Sequence, residues 1–261
     1  MRHQSIIIVE PREVDDLHIA LDATRVFTPD EIREALTPDE NTLWIARSLP
    51  PLHEFADVGR SRYRRDLLLL EPIPKTRRIL LETMFDRIIA PDDDVRLLEE
   101  EQLLDVVADD RPQDFFIGAV YDEEDRIVVL YRGTLEPMVV PLRWFQQNPV
   151  ATPNPRDLEP VDYGQGVRLG DYEVATRTIL YEFDADYRRR QKKNRRRLDE
   201  SFGGCLRRLR RMKGLKQSDF TDLTARTIRR IEKGEVENPR PSTIERIAKE
   251  LDVAPDEIET Y

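Results

Sequence analysis

One cysteine, three histidines and ten glycines in 261 residues leave this sequence short of the side chains that most site chemistry uses. A single Cys205 excludes an internal disulfide framework and supplies no thiolate cluster for a metal. His3, His18 and His53 are scattered, without a second ligand at metal spacing. No glycine-rich phosphate loop occurs, because Gly164-Gln165-Gly166 lacks the flanking strand-to-helix pattern and reads as a turn. Ser201 and Cys205 have no histidine nearby in sequence to activate them. The acidic clusters Asp92–Asp94, Glu99–Glu101 and Asp122–Asp125 read as caps and turns in preference to Mg²⁺ sites. No apolar run approaches the roughly 20 residues that cross a bilayer. The opening stretch, Met1 to Val9, has too short an apolar run for a secretory leader, so the cytoplasm is expected. Together these absences argue against an enzyme, a cofactor, a metal site and a membrane segment.

What is abundant is charge. Charged residues make up 36% of the chain and mean hydropathy is −0.61. The net charge of −10 looks wrong for a nucleic-acid binder, but it averages two unlike parts. From Tyr187 onward there are 21 Lys/Arg against 13 Asp/Glu, a net of +8, whereas the part before it has 21 against 39, a net of −18. Asymmetry of this kind points to a nucleic-acid-binding end.

The spacing of apolar residues predicts an α+β protein of several domains: an acidic mixed α/β region over 1–112, a β-rich module over 113–183, a basic linker over 184–200 and a helical domain over 201–261. Residues 4–9 are β-branched and read as a buried strand. Asp15 to Phe27 has Leu17 and Leu21 at helical spacing. Thr28-Pro29-Asp30-Glu31 and Thr37-Pro38-Asp39-Glu40 repeat one helix-start signal, with Thr as cap, Pro in the first turn and two acids at the positive end of the dipole. Leu67–Leu70 reads as a buried strand. Lys75 to Ala90 has the period of a helix with one apolar face, and Asp92–Asp94 caps a further helix through Val107, so residues 1–112 are expected to be mostly helical. From Phe115 the period changes to two. Phe115–Tyr121, Arg126–Arg132 and Glu136–Val140 predict an antiparallel β-meander, Pro141–Phe145 a short helix, and Val167–Leu169 and Thr178–Phe183 further strands. On its Val140-Pro141-Leu142-Arg143-Trp144-Phe145 pattern, this part resembles a small uncharacterised module that occurs fused to helix-turn-helix domains; the resemblance implies no chemistry.

The linker places eight cations within Arg188–Arg197, among them Arg195 and Arg196. Such a run is either a solvated face or a phosphate-tracking arm. Beyond it, Phe202, Cys205, Leu206, Leu209, Met212 and Leu215 predict an amphipathic helix whose outer face carries Arg207, Arg208, Arg210, Arg211 and Lys213, with Gly214 as its stop. Gln217-Ser218-Asp219-Phe220 reads as a second short helix with Phe220 inward. A third opens at Thr224, buries Ile228 and Ile231, ends at Gly234, and turns Ala225, Arg226, Thr227, Arg229, Arg230 and Lys233 outward. The last long helix opens on Ser242-Thr243-Ile244-Glu245, the spacing of a capping box, and Pro255 starts a final short one.

Gly214-Leu215-Lys216-Gln217, Thr227–Gly234 and Ile247–Val253 resemble the Cro/C1 (XRE) family of helix-turn-helix proteins, over about 60 residues. The resemblance implies an all-α, five-helix lambda-repressor-like domain that binds double-stranded DNA, usually as a homodimer on a near-palindromic operator. It implies Gln217 near a phosphate, and Ala225, Arg226, Thr227 and Arg230 against base edges or the flanking backbone. One departure is the interval from Gln217 to Thr224, about one helical turn shorter than usual. Arg226 and Arg230 lie four apart on one face, and an Arg fork fits guanine O6 and N7, the alternative for each being a phosphate contact. Two functions fit this pattern. One is a sequence-specific transcriptional repressor whose residues 1–183 dimerise or sense a small effector. The other is an antitoxin-type protein whose residues 1–183 bind a partner protein. A third arrangement, in which the acidic part folds over the basic one and inhibits it, fits the charge split as well.

Overall fold

The computed structural model describes residues 5–9, 23–36, 40–47, 49–51, 61–91, 94–147 and 152–260. The chain divides into two compact units, Met1–Asp184 and Ala185–Tyr261.

The first unit is organised around a parallel sheet. Strands β1 (Ser5–Val9), β2 (Thr24–Val26), β3 (Thr42–Ala46), β4 (Arg65–Leu69) and β5 (Arg87–Ile89) lie in the order β2-β1-β3-β4-β5 with every pair parallel. β3 and β4 are buried at all five positions, as continuous apolar strands covered on both faces must be. The register aligns Ile7, Trp44, Leu67 and Ile88 in one row across β1, β3, β4 and β5. These side chains share one core with Ile32 and Leu36 at helix α1 (Pro29–Ala35), and with Leu81, Met84 and Phe85 at the end of helix α2 (Lys75–Leu81). The next row, Ile8, Ile45, Leu68 and Ile89, faces the other way and meets Leu103, Leu104, Val106 and Val107 of helix α3 (Glu100–Ala108). Helices therefore cover both faces, and the strand order is that of a doubly wound sheet. Arg47, just past β3, clamps Glu100 of α3 with two bonds, the shorter at 2.5 Å.

A second, antiparallel sheet runs β6 (Val95–Leu97), β7 (Phe116–Asp122), β8 (Ile127–Arg132) and β9 (Pro137–Pro141) in sequence order. The expected division at 112/113 is bridged, because β6 before it pairs with β7 after it. Ile117 and Leu135 also join the α3 core. The Arg132 N–H donates to the Glu136 carbonyl and the Leu142 N–H to the Arg126 carbonyl, both at 3.0 Å. Even-numbered positions of β9 thus face β8, and Pro137, Val139 and Pro141 turn their backbone to the open edge. Two of those three lack an N–H, which blunts the edge against pairing with another strand. Helix α4 (Leu142–Phe145) follows, then a three-stranded antiparallel sheet of β10 (Leu158–Val161), β11 (Gly166–Leu169) and β12 (Tyr172–Ala175), and helix α5 (Thr176–Phe183). Trp144 meets Phe145 and Phe183 edge-to-face, and Phe145 meets Tyr172 likewise.

Several local expectations give way to tertiary structure. Residues 15–22 lie outside the described residues, and Thr24–Val26 at the end of that stretch is a strand drawn beside β1. The second helix-start signal, whose Thr37–Asp39 are not described, is followed by strand β3. The helix expected over 75–90 stops at Leu81, and Arg87–Ile89 pairs with β4 instead. Asp92 and Asp93 are not described, and Val95–Leu97 beyond them is strand, with the helix starting at Glu100. Thr178–Phe183 is helix, because Thr176 anchors its start by donating its hydroxyl to the Gly164 carbonyl at 2.7 Å. Residues 1–112 are consequently a mixed α/β region built on a parallel sheet and not a mostly helical one. Among the described residues no helix is long and apolar enough to cross a membrane.

The first helix-start signal works as written. The Thr28 hydroxyl accepts from the Glu31 N–H at 3.3 Å, and the Glu31 carboxylate accepts from Thr28 and Phe27 N–H at 3.1 and 2.7 Å. Thr28→Ala should therefore destabilise the first unit by about 1 kcal/mol, read as a lowered urea midpoint with an unchanged slope.

Candidate nucleic-acid interface

The second unit begins with helix α6 (Ala185–Arg197), continues with α7 (Phe202–Met212), α8 (Ala225–Glu232) and α9 (Pro241–Leu251), and ends in a 3₁₀ turn at Pro255–Thr260. Its core is Phe202, Leu206, Leu209, Phe220, Ile228, Ile231, Ile247, Ala248, Leu251 and Ile258. Apart from Met212 and Leu215, each buried position expected on α7 and α8 is buried; Leu215 lies beyond the end of α7 and is half-buried. Met212 is 72% exposed, because it occupies the last turn of α7 beyond the end of the core stripe. α9 opens two residues early, with Arg240 as cap residue and Pro241 in the first turn, so Ser242 does not cap it.

No helix forms between Leu215 and Leu223. A single turn spans Lys216–Asp219, in which the Asp219 carboxylate accepts from the Lys216 N–H at 2.8 Å. The Glu250 carboxylate of α9 accepts from the Thr221 N–H at 3.2 Å and also from its hydroxyl. Side chains thus take the backbone donors that a helical turn would have used, and in so short an interval that decides the outcome. Only Phe220 of the expected helix reaches the core.

α8 is held to α7 by a buried ion pair. Arg210 donates to Glu232 through Nε at 2.5 Å and Nη2 at 3.0 Å, with both side chains under 10% exposed. Gln217 Nε2 adds a bond to Glu232 at 2.6 Å, and Arg210 Nη1 donates to the Leu215 carbonyl at 2.6 Å. One network therefore joins α7, the connecting turn and α8. At Gly203 the Ile231 carbonyl lies 2.1 Å from where a Cβ would be, so only glycine lets the start of α7 meet the end of α8.

The break between α6 and α7 is a jointed elbow and not a continuous helix. Ser201 caps α7 by accepting from the Gly204 N–H at 3.2 Å, and donates its hydroxyl to Asp199 at 2.6 Å. That hydroxyl holds the Asp199 carboxyl below its ordinary range, with the Ser201 N–H and Arg207 adding to it and burial opposing. Arg208 Nη1 donates to the Asp199 carbonyl at 2.6 Å, and Arg207 reaches both the Asp199 carboxylate at 3.4 Å and the Glu232 carbonyl at 3.3 Å.

These contacts sort the expected DNA-binding residues. Arg207 and Arg208 are half-buried and serve the elbow, and Arg210 is buried altogether, so the outer face of α7 is reduced to Arg211 and Lys213. Gln217 is half-buried and donates to Glu232. Thr224 caps α8, with its hydroxyl 3.2 Å from the Thr227 N–H and 2.9 Å from the Thr227 hydroxyl, which leaves Thr227 partly engaged. Ala225, Arg226, Arg229, Arg230 and Lys233 are exposed on one surface of α8, and Arg195 is exposed on α6. Arg196 belongs to α6 and its side chain is outside the described residues. Glu232, Asp199 and Gly203 carry the site without having been singled out, and Arg210 does so from the core instead of the outer face expected for it. The missed signal was a charge on an apolar stripe, since Glu232 follows Ile228 by four and Arg210 follows Leu206 by four. Among the described residues no group of His, Cys, Asp and Glu could hold a metal.

Residues 201–260 match a family model described as a helix-turn-helix domain, under a quarter of the chain. No curated protein and no solved structure matches the chain. The second unit thus carries a DNA-binding module of the helix-turn-helix class, and DNA is the partner that module implies.

Removing one partner of the Arg210–Glu232 pair strands the other charge in the core. Glu232→Ala should cost about 3–5 kcal/mol and lower the thermal midpoint of this unit by roughly 12–40 °C. Because the Asp199 carboxyl is held low in the folded state, its contribution is complete above the unfolded value near 3.9 and is lost as pH falls through the folded one. Wild type should therefore exceed Asp199→Ala in stability at pH 6, and the gap between their urea midpoints should close as the pH is lowered toward 2.

Proposed function

We propose that the protein is a sequence-specific transcriptional repressor that lays α8 in the major groove of DNA. The observation that carries this reading is the make-up of α8. Ile228 and Ile231 are buried and Glu232 is tied to Arg210, which fixes the helix about its axis. The remaining face presents Arg226, Arg229, Arg230 and Lys233 to solvent. A helix about 10–12 Å across with its side chains fits a groove about 12 Å wide. Arg211 and the cations of α6 stand on the same unit and serve as phosphate contacts, which position the protein without reading sequence. Binding as a dimer to a near-palindromic site follows from the resemblance to the Cro/C1 family. The first unit serves as the sensor, and an open cavity of about 590 Å³ lined by Asp94, Arg96, Tyr121, Asp122, Glu123 and Arg156 gives a polar effector a place to bind.

Selection of duplexes from a randomised pool supplies the operator for the test. Arg230 and Lys233 share Glu235, whereas Arg226 and Arg229 are in no ion pair among the described residues, and Arg226 is taken first for a guanine contact. Arg226→Ala should flatten the preference at one base pair by roughly 5- to 150-fold, the equivalent of about 1–3 kcal/mol. Arg211→Ala should instead weaken binding to every sequence alike and reduce the salt slope by about 0.9. An equal loss on all duplexes for Arg226→Ala would remove base reading from that residue.

A further inference from the structure

One acidic side chain stands among the exposed cations at the end of α8. Glu235 Oε2 is 3.4 Å from Arg230 Nε, and its Oε1 is 3.7 Å from Lys233 Nζ. The location of this carboxylate is built into the helix end. Gly234 adopts φ +74°, which glycine tolerates best, and its N–H donates to the Ile231 carbonyl at 2.9 Å. The Glu235 N–H then donates to the Arg230 carbonyl, also at 2.9 Å. The backbone of Glu235 is thereby pinned to the residue whose side chain its carboxylate meets.

We propose that Glu235 is a positioning residue for base reading: it holds the Nε edge of Arg230, so that the two Nη groups are offered to the groove as an oriented fork. An arginine has five N–H donors in a fixed plane, and bidentate recognition of guanine O6 and N7 needs two parallel ones. An ion pair on the Nε side leaves the four donors of the two Nη groups unengaged and narrows the rotational freedom that an exposed arginine would otherwise lose on binding. Glu235 also has a second, opposite effect. It places a negative charge beside the phosphates and offsets the charge of Arg230 and Lys233, which weakens attraction to DNA of any sequence. Preference and overall affinity therefore depend on Glu235 with opposite signs. The inference rests on α8 entering the major groove.

The test uses the full chain, the selected operator and a set of single-base-pair variants of it, with affinities measured by fluorescence anisotropy over a range of salt. The variants are Arg226→Ala, Arg230→Ala and Glu235→Gln, with the double variant Arg230→Ala/Glu235→Gln. Glu235 is exposed, and circular dichroism checks that Glu235→Gln keeps the wild-type helix content. Glu235→Gln should bind an unrelated duplex roughly 3-fold more tightly, with a steeper salt slope. It should also lose roughly 3- to 10-fold of the discrimination at the base pair that Arg230→Ala affects. The double variant should discriminate no worse there than Arg230→Ala alone. Tighter binding with an unchanged preference profile would leave Glu235 a counter-charge only and overturn the inference. A profile flattened by Arg226→Ala but untouched by Arg230→Ala would overturn it too, with groove reading intact. If neither arginine affects the profile, groove reading by α8 fails as well.

Discussion

Taking Arg210 and Glu232 out of water costs several kcal/mol per ion, and an apolar pair of the same volume would pack α7 against α8 without that cost. What the ion pair supplies is direction. Apolar contact is indifferent to rotation of one helix about its axis, whereas two bonds from Arg210 and one from Gln217 converge on one carboxylate at the end of α8. That rotation decides which of Arg226, Arg229 and Arg230 looks outward. The same guanidinium reaches the Leu215 carbonyl, so the turn that replaces a helix between α7 and α8 is fixed by it too. With Gly203 set against the Ile231 carbonyl, the end of α8 is defined from two sides. With no regular helix between α7 and α8, the orientation of α8 needs such a substitute, and the polar network provides it.

In the first unit the corresponding constraint is α3. Its Leu103, Leu104, Val106 and Val107 form one core with the outer row of the parallel sheet and with Ile117 of the antiparallel one. Neither sheet could be removed without stripping water-excluding cover from the other. This is why a boundary that looks natural where the residue period changes is absent from the structure. Prolines close the β9 edge, so partners of this unit have side-chain faces to work with and no free strand ladder there.

Legibility in the sequence followed the range of the interaction responsible. The Thr28 and Thr224 caps, the Gly214 and Gly234 stops and the Ile228–Ile231 stripe are written within a few residues, and each forms as read. Where pairing partners are distant, local pattern misleads. Arg87–Ile89 is a strand because β4 lies beside it, although Ile79, Leu80, Met84 and Ile88 have helical spacing; Ile79 and Leu80 end up exposed. Two copies of Thr-Pro-Asp-Glu precede different structures, since the second is followed by Leu43-Trp44-Ile45, which the centre of the sheet claims. The cation cluster of the second unit was legible, but not which of its members the fold engages. Glu232 and Arg210 read as surface charges until their place on apolar stripes is weighed.

That division changes what the charge asymmetry means. A net of +8 from Tyr187 onward counts Arg210, neutralised in the core, and Arg207 and Arg208, spent on the elbow that joins α6 to α7. It also counts Arg230 and Lys233, which share Glu235. Among the cations left over, Arg226 and Arg229 on α8 and the run along α6 form two separate groups. Those on α8 are few, short of acidic neighbours and fixed in rotation, which suits a surface that must distinguish bases. Those on α6 are many and run along a helix with almost no apolar face, which suits a backbone of uniform charge that needs no register. On the proposed reading, affinity and discrimination fall to separate elements, and the elbow at Asp199 and Ser201 joins the two.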